Sequence, residues 1–249
     1  MERTHFRDVP AVLREPVPVL AAYEAGVAAI CAIAGQFDDG TWNGFTPCQE
    51  WRAFELAGHL RCIADDYHEY LDEAPVSRYA RLMGTGAHRD TLGRKLARQN
   101  AAELAALSDA PPAEHISVFA ISARAYAARL GPVWDLPHHQ YRETVVTVGG
   151  MAGAACAEWH LHAWDLAVAV GTHYRPTDPA AVLAGWVAGM PHLPLAGATQ
   201  GGKISRHSDP WHAVLAASGR LTPPGQAATA GWRTSSTVWP LRLRRRRKG

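Results

Sequence analysis

The chain has 249 residues, 47% of them hydrophobic, enough to bury the core of one sizeable domain, so it is not a mini-protein that depends on disulfide staples. Its four cysteines, Cys31, Cys48, Cys62 and Cys156, show no Cys-x-x-Cys spacing, which argues against a structural zinc knot or a disulfide framework and fits reduced thiols in a cytosol. Residues 221–249 carry seven positive groups and no acid; taking these from the net charge of +2 leaves −5 on residues 1–220, a mildly acidic body with a basic tail.

The first residues, Met1 to Phe6, lack an apolar core followed by a small-residue cleavage site, so no export signal is expected. Val17 to Gly35 is apolar, but it is Ala-rich, carries Glu24 in its middle and follows Pro16-Val17-Pro18, which predicts a bundle helix rather than a membrane span. Apolar residues recur at Leu20, Tyr23, Val27, Ile30 and Ala34, up to Gly35 and the Asp38-Asp39-Gly40 turn. A second helix is expected to open with Thr46 as cap, Pro47 at its first position and Gln49 completing a capping box, and to run to about Leu71 with room for a kink near Trp51. Its buried stripe is Leu56, Leu60, Ile63 and Tyr67, and the adjoining row of Glu55, His59, Cys62 and Asp66 puts His59 at the edge of the core. A loop containing Gly84-Thr85-Gly86 leads to a third helix, Arg89 to Leu107, with Leu92, Leu96, Leu104 and Leu107 apolar, broken by Ser108 to Pro112. A fourth runs from Ala113 to Leu130 through Ile116, Phe119, Ala123 and Tyr126, and stops at Gly131-Pro132. Pro137 to Val148 reads as an irregular connection with a short extended end, Thr144 to Val148, and its His138-His139 as a solvated loop pair.

The next helix, about Met151 to Val170 with Gly171 at its end, carries Glu158-Trp159-His160-Leu161-His162-Ala163-Trp164-Asp165. Residues four and seven apart lie within about 40° around a helix, so Glu158, His162 and Asp165 form one polar column on an otherwise apolar element. Two imidazoles and a carboxylate with an open fourth position make a catalytic zinc pattern, and His59 is available from the second helix. The plain alternative is a Glu–His pair on a helix surface beside a hydrogen-bonded core histidine. His160, Trp159 and Trp164 read as packing residues or pocket walls, Cys48 as a small packing residue, and Cys62 as a weaker ligand candidate than Glu158. A shorter helix, about Pro179 to Met190, follows; the Gly/Pro-rich run to Lys203 and a last turn at Trp211 to Ala217 look peripheral. Residues 1–220 are therefore read as one domain and 221–249 as a disordered tail.

Three blocks carry a resemblance: Thr46-Pro47-Cys48-Gln49-Glu50-Trp51 with Glu55-Leu56-Ala57-Gly58-His59-Leu60, then Glu158 through Ala167, then Ser208-Asp209-Pro210-Trp211 with Gly219-Arg220. Over about residues 15 to 219 the chain resembles the mycothiol-dependent maleylpyruvate isomerase family, an actinobacterial branch of the DinB-like metal-binding bundles. The resemblance implies an all-α, DinB-like four-helix bundle with additional short helices, metal ligands at His59, Glu158 and His162, and Asp165 in support behind His162. It implies a divalent metal, with zinc favoured by the donors and nickel, iron or manganese open, and mycothiol as thiol cosubstrate, whose thiolate a cation favours. That thiolate adds to an activated double bond or displaces a leaving group; in the isomerases, adduct formation, rotation and elimination return the thiol. The isomerases proper carry a second, α/β domain after the bundle, and the stretch of about 50 residues from Gly171 to Leu221 shows no strand series. A thiol S-transferase, or a metal-binding module without turnover, thus stands beside maleylpyruvate isomerisation. The implied partners are a small electrophile and a low-molecular-weight thiol in the cytoplasm, with no membrane, for a monomer or homodimer. The Arg244 to Arg247 run offers nucleic acid charge alone, without a reading module, and a regulatory binding protein is the third alternative.

Overall fold

The computed structural model describes residues 15–48, 51–107, 109–193, 199–200, 203–204 and 209–221. The first predicted stripe buries Val19, Tyr23, Val27 and Ile30 on one side of α1 (Pro16–Ala34), the three-and-four spacing of a helix with one apolar face. By length and hydropathy α1 is long enough to cross a membrane, but its stripe is taken up by the bundle, and Glu24 on its outer side accepts from Arg124 Nε at 2.9 Å. A single turn, α2 (Asp39–Trp42), precedes α3 (Ala53–Asp72), α4 (Arg78–Gly84), α5 (Arg89–Ala106) and α6 (Pro112–Arg129). A hairpin of β1 (Pro137–Tyr141) and β2 (Thr144–Thr147) leads into α7 (Val148–Ala169), then α8 (Pro179–Gly189), a two-residue strand pair and α9 (Pro210–Ala217). α1, α3, α6 and α7 close a four-helix bundle, α1 against α6 and α7 and α3 against the same two, while α5 lies on α3 and α8 on α7.

One aromatic ring from each bundle helix meets at the centre. Trp159 of α7, fully buried, has its ring centroid 5.9 Å from Tyr23 of α1, 5.8 Å from Tyr67 of α3 and 4.9 Å from Phe119 of α6, all edge-on. Such contacts each add about 0.5–1.5 kcal/mol beyond the area they bury. α7 meets α8 backbone to backbone: a Cβ on Gly185 would lie 2.5 Å from the Gly153 carbonyl oxygen, so neither position accepts a side chain without moving a helix. With α1, α3, α8 and the hairpin around it, α7 is buried on nearly every face.

Several boundaries differ from the sequence reading. The second long helix begins at Ala53, not at Pro47, because Thr46 spends its capping groups elsewhere: its N–H and its hydroxyl both donate to the Trp51 carbonyl, at 3.2 and 3.0 Å, tying Thr46 to Trp51. Glu55 then caps the real start by accepting the Arg52 N–H at 2.8 Å. Gln49, the other half of the expected capping box, lies outside the described residues, as do Met1 to Phe6, Ser208 and, except for Leu221, the expected disordered tail. α4 was not expected; Ser77 caps it by accepting the Ala80 N–H at 3.1 Å, and Arg78 ties it to Glu103 of α5 at 2.7 Å and to Asp66 of α3. α7 begins at Val148 because the Thr147 hydroxyl caps Gly150 N–H at 3.1 Å.

The segment expected to be irregular is a hairpin turned through Arg142 in the left-handed region, φ 53°. Its His138-His139 pair is not solvated. Strand side chains alternate, but the register slips between Pro137 and His139, and both rings are buried, 1% and 3% exposed, with their Nδ1 atoms 3.0 Å apart. Burial pushes His138 down to about 4 and, reinforced by His138 and His192, His139 down to about 3. Unfolded histidines take up protons near 6.5, so the stability these neutral rings contribute is complete above that pH and is lost as pH falls towards 4. Replacing His139 with Phe should shrink the fall in urea-unfolding free energy between about pH 7 and about pH 5 by about 2 kcal/mol. An unchanged fall would contradict buried neutral histidine at this position.

Candidate metal centre

α3 brings His59 to the inner side of the bundle, 5% exposed, because it stands one position from the Leu56–Leu60 stripe. Trp51 covers its ring, centroids 4.5 Å apart. Across the bundle the His162 ring lies 5.3 Å away, edge-on at 81°. Among the described residues the His59 imidazole has no hydrogen-bond partner. Burial, helped by the nearness of His162, holds it well below the usual histidine range, so it is neutral with a lone pair to offer.

On α7 the column separates from its neighbours as helical geometry requires. Trp159 points to the aromatic centre, and His160 turns to α1, where its Nε2 lies 2.8 Å from the Ala22 carbonyl oxygen and its Nδ1 meets the Tyr174 hydroxyl. Glu158 faces α3, whose Tyr67 hydroxyl donates to Oε2 at 2.9 Å and leaves Oε1 open. Burial raises the Glu158 carboxyl, offset only in part by His162 and Tyr67. His162 Nδ1–H donates to Asp165 Oδ2 at 3.0 Å, which fixes the tautomer and leaves Nε2 as the ring's free donor atom.

Asp165 is fully buried and therefore needs a cation. Arg220 supplies it: Nε donates to Oδ1 at 2.8 Å and a terminal nitrogen to Oδ2. Burial alone would raise the Asp165 carboxyl, but Arg220 and His162 outweigh it and hold the group below the usual carboxylate range. The arginine reaches the bundle through the end of α9. Asp209 caps the start of that helix and is gripped by both Arg175 terminal nitrogens at 2.6 Å. At its other end Gly219, φ 79°, donates to the Ala216 carbonyl and Arg220 to the Leu215 carbonyl, a left-handed glycine closure that swings the chain back to α7.

The donor atoms that converge most tightly among the described residues are those of Cys48, His162 and Asp165, all within 4.8 Å of one another; His59 and Glu158 lie outside that set. Sequence reasoning had assigned Cys48 to packing, and placed Tyr67 in the buried stripe without its link to Glu158; Arg220 was visible only as the last of the family-like blocks. The proximity of Cys48 to Trp51 and His59 in sequence was the available signal. Cys62, by contrast, has Glu103, Asp66, Asp65 and Arg61 as its charged neighbours and stands apart from the centre. Two imidazoles and one carboxyl suit a divalent metal, which would give a partner to the His59 ring, without one among the described residues, and relieve the raised Glu158 carboxyl.

A family model described as the mycothiol maleylpyruvate isomerase N-terminal domain matches residues 23–167. The match contains Cys48, His59, Tyr67, Glu158, His162 and Asp165, and ends before Arg220. No curated protein and no solved structure matches the chain.

Removing Arg220 strands a buried carboxylate, so Arg220→Ala should lower the unfolding free energy in urea by about 3–5 kcal/mol. The double variant Arg220→Met with Asp165→Leu should recover part of that loss, whereas a cost below about 1 kcal/mol for Arg220→Ala would show that the pair does not hold the centre together.

Proposed function

The chain belongs to the mycothiol maleylpyruvate isomerase N-terminal domain family, and from that premise we propose that it is a divalent-metal-dependent, cytoplasmic enzyme of the mycothiol-dependent maleylpyruvate isomerase type. The proposed ligands are His59, Glu158 and His162, with zinc the metal that suits them best and mycothiol the thiol cosubstrate. The bound ion would supply one thing, a preference for the thiolate of an incoming thiol over the thiol itself. The rest belongs to the protein. Trp51 shields His59 from water, Tyr67 orients Glu158, and Asp165 with Arg220 fixes the His162 ring and leaves its Nε2 free for the site. The nucleophilic sulfur forms a bond to an electrophilic carbon, either reversibly, as in an isomerase, or with loss of a leaving group, as in a thiol S-transferase.

The observation that carries this reading is the neighbouring pair of imidazoles, His162 tautomer-locked by a buried carboxylate and His59 with no hydrogen-bond partner among the described residues. Elemental analysis of the purified chain should find about one divalent metal per chain; His59→Ala and His162→Ala should lose most of it, and Asp165→Asn should bind about ten- to a hundredfold more weakly. Full metal retention by both histidine variants would sink the ligand set. Incubating the metal-loaded chain with mycothiol and maleylpyruvate, or with other electrophiles, should consume or recycle the thiol with product formation; absence of product across the series would reduce the chain to a binding module.

A further inference from the structure

Cys48 stands at the centre without a role in the proposed ligand set. Thr46 and Trp51 fix it there: its carbonyl accepts from the Thr46 hydroxyl at 3.3 Å and from the Trp51 N–H at 3.1 Å. Its sulfur shares a space no wider than 4.8 Å with a His162 ring nitrogen and an Asp165 oxygen. Asp165 is already committed on both oxygens, to His162 and Arg220, and His162 on Nδ1, so the donors these residues have left for a cation are His162 Nε2 and the Cys48 sulfur. Among the described residues neither that sulfur nor the His59 ring, 5% exposed and 5.3 Å from the His162 ring, has a hydrogen-bond partner. A thiol that coordinates a divalent cation gives up its proton, so a bound metal would hold Cys48 as a thiolate.

We propose that Cys48 is an internal thiol ligand of the same metal centre, filling the position an incoming low-molecular-weight thiol takes and acting as its gate. This rests on the metal reading above. With a metal bound, the exchange would balance without an added base: an incoming thiol taking the place of Cys48 would lose its S–H proton, and the departing Cys48 sulfur would take one up. A thioether or a disulfide has no such proton to give, so the gate opens to free thiols.

Cobalt(II) loading of the full chain tests this, because a thiolate on cobalt gives a charge-transfer band in the near ultraviolet and imidazole or carboxylate does not. With no thiol added, the wild-type chain should show the band, and Cys48→Ala, carrying as much cobalt and giving the same far-ultraviolet circular dichroism, should lose it. Adding 2-mercaptoethanol to Cys48→Ala should bring the band back, placing the external sulfur where Cys48 was. Wild-type chain with one cobalt and no band, or a band undiminished in Cys48→Ala, would overturn the proposal while leaving the metal reading standing. A wild-type chain that binds no cobalt would overturn the metal reading, and this inference with it. Should Cys48→Ala fail to fold, Cys48→Ser keeps the size of the side chain and must lose the band in the same way.

Discussion

A helix buried on nearly every face cannot carry an ionisable side chain without a partner for it, and α7 carries five: Glu158, His160, His162, Asp165 and the thiol of Cys156. An unpaired charge in such a place costs several kcal/mol, a large part of what holds a domain of this size together. Much of the remaining architecture answers that demand. Tyr67 comes from α3 for Glu158, the Ala22 carbonyl from α1 and Tyr174 from the following loop for His160, and Arg220 from beyond α9 for Asp165. Cys156 alone needs nothing, since burial keeps it a neutral thiol.

The same helix divides its faces sharply. Trp159 anchors the aromatic centre, and its neighbour in sequence, Glu158, lies on the column that faces α3. The backbone contact of Gly153 with Gly185 fixes the opposite side. Held between an aromatic cluster and a glycine contact, the column has little freedom to shift, which is the kind of support a centre needs if its donors are to keep their spacing. α9 acts at a distance: neither its residues nor Arg220 fall within the matched family segment, yet the glycine closure at Gly219 delivers the cation on which Asp165 depends.

The bundle helices were legible because apolar residues recur along them at helical spacing, as at Tyr23, Val27 and Ile30 in α1 or Ile116, Phe119 and Ala123 in α6. What escaped the sequence were features decided by a single side chain's choice of partner. Thr46 looked like a helix cap and instead tied itself to the Trp51 carbonyl; Ser77 capped a helix too short to show a stripe; a slip of register buried two histidines in a row. The polar column of Glu158, His162 and Asp165 followed from spacing alone. His59 needed the ordered family-like blocks to be joined to it, and Cys48, Tyr67 and Arg220 entered the centre only through tertiary packing that no local pattern encodes.

Charge then explains why a thiol suits this centre under the proposed ligand set. Arg220 cancels Asp165 and burial keeps His59 neutral, so under the proposed ligand set the uncompensated charge on the protein side is that of Glu158. Without a cation that carboxyl is pushed towards protonation. A divalent ion held there would restore its charge but leave one positive unit over in a site walled by Trp51 and the bundle core, where the effective dielectric is low and residual charge is expensive. A neutral fourth ligand such as water would leave that unit in place, whereas a thiolate would remove it. A centre built from the proposed ligands would thus favour an anionic sulfur over water for reasons set by its own surroundings, and the chain's own Cys48, whose sulfur lies within 4.8 Å of a His162 nitrogen, is one that could answer that preference.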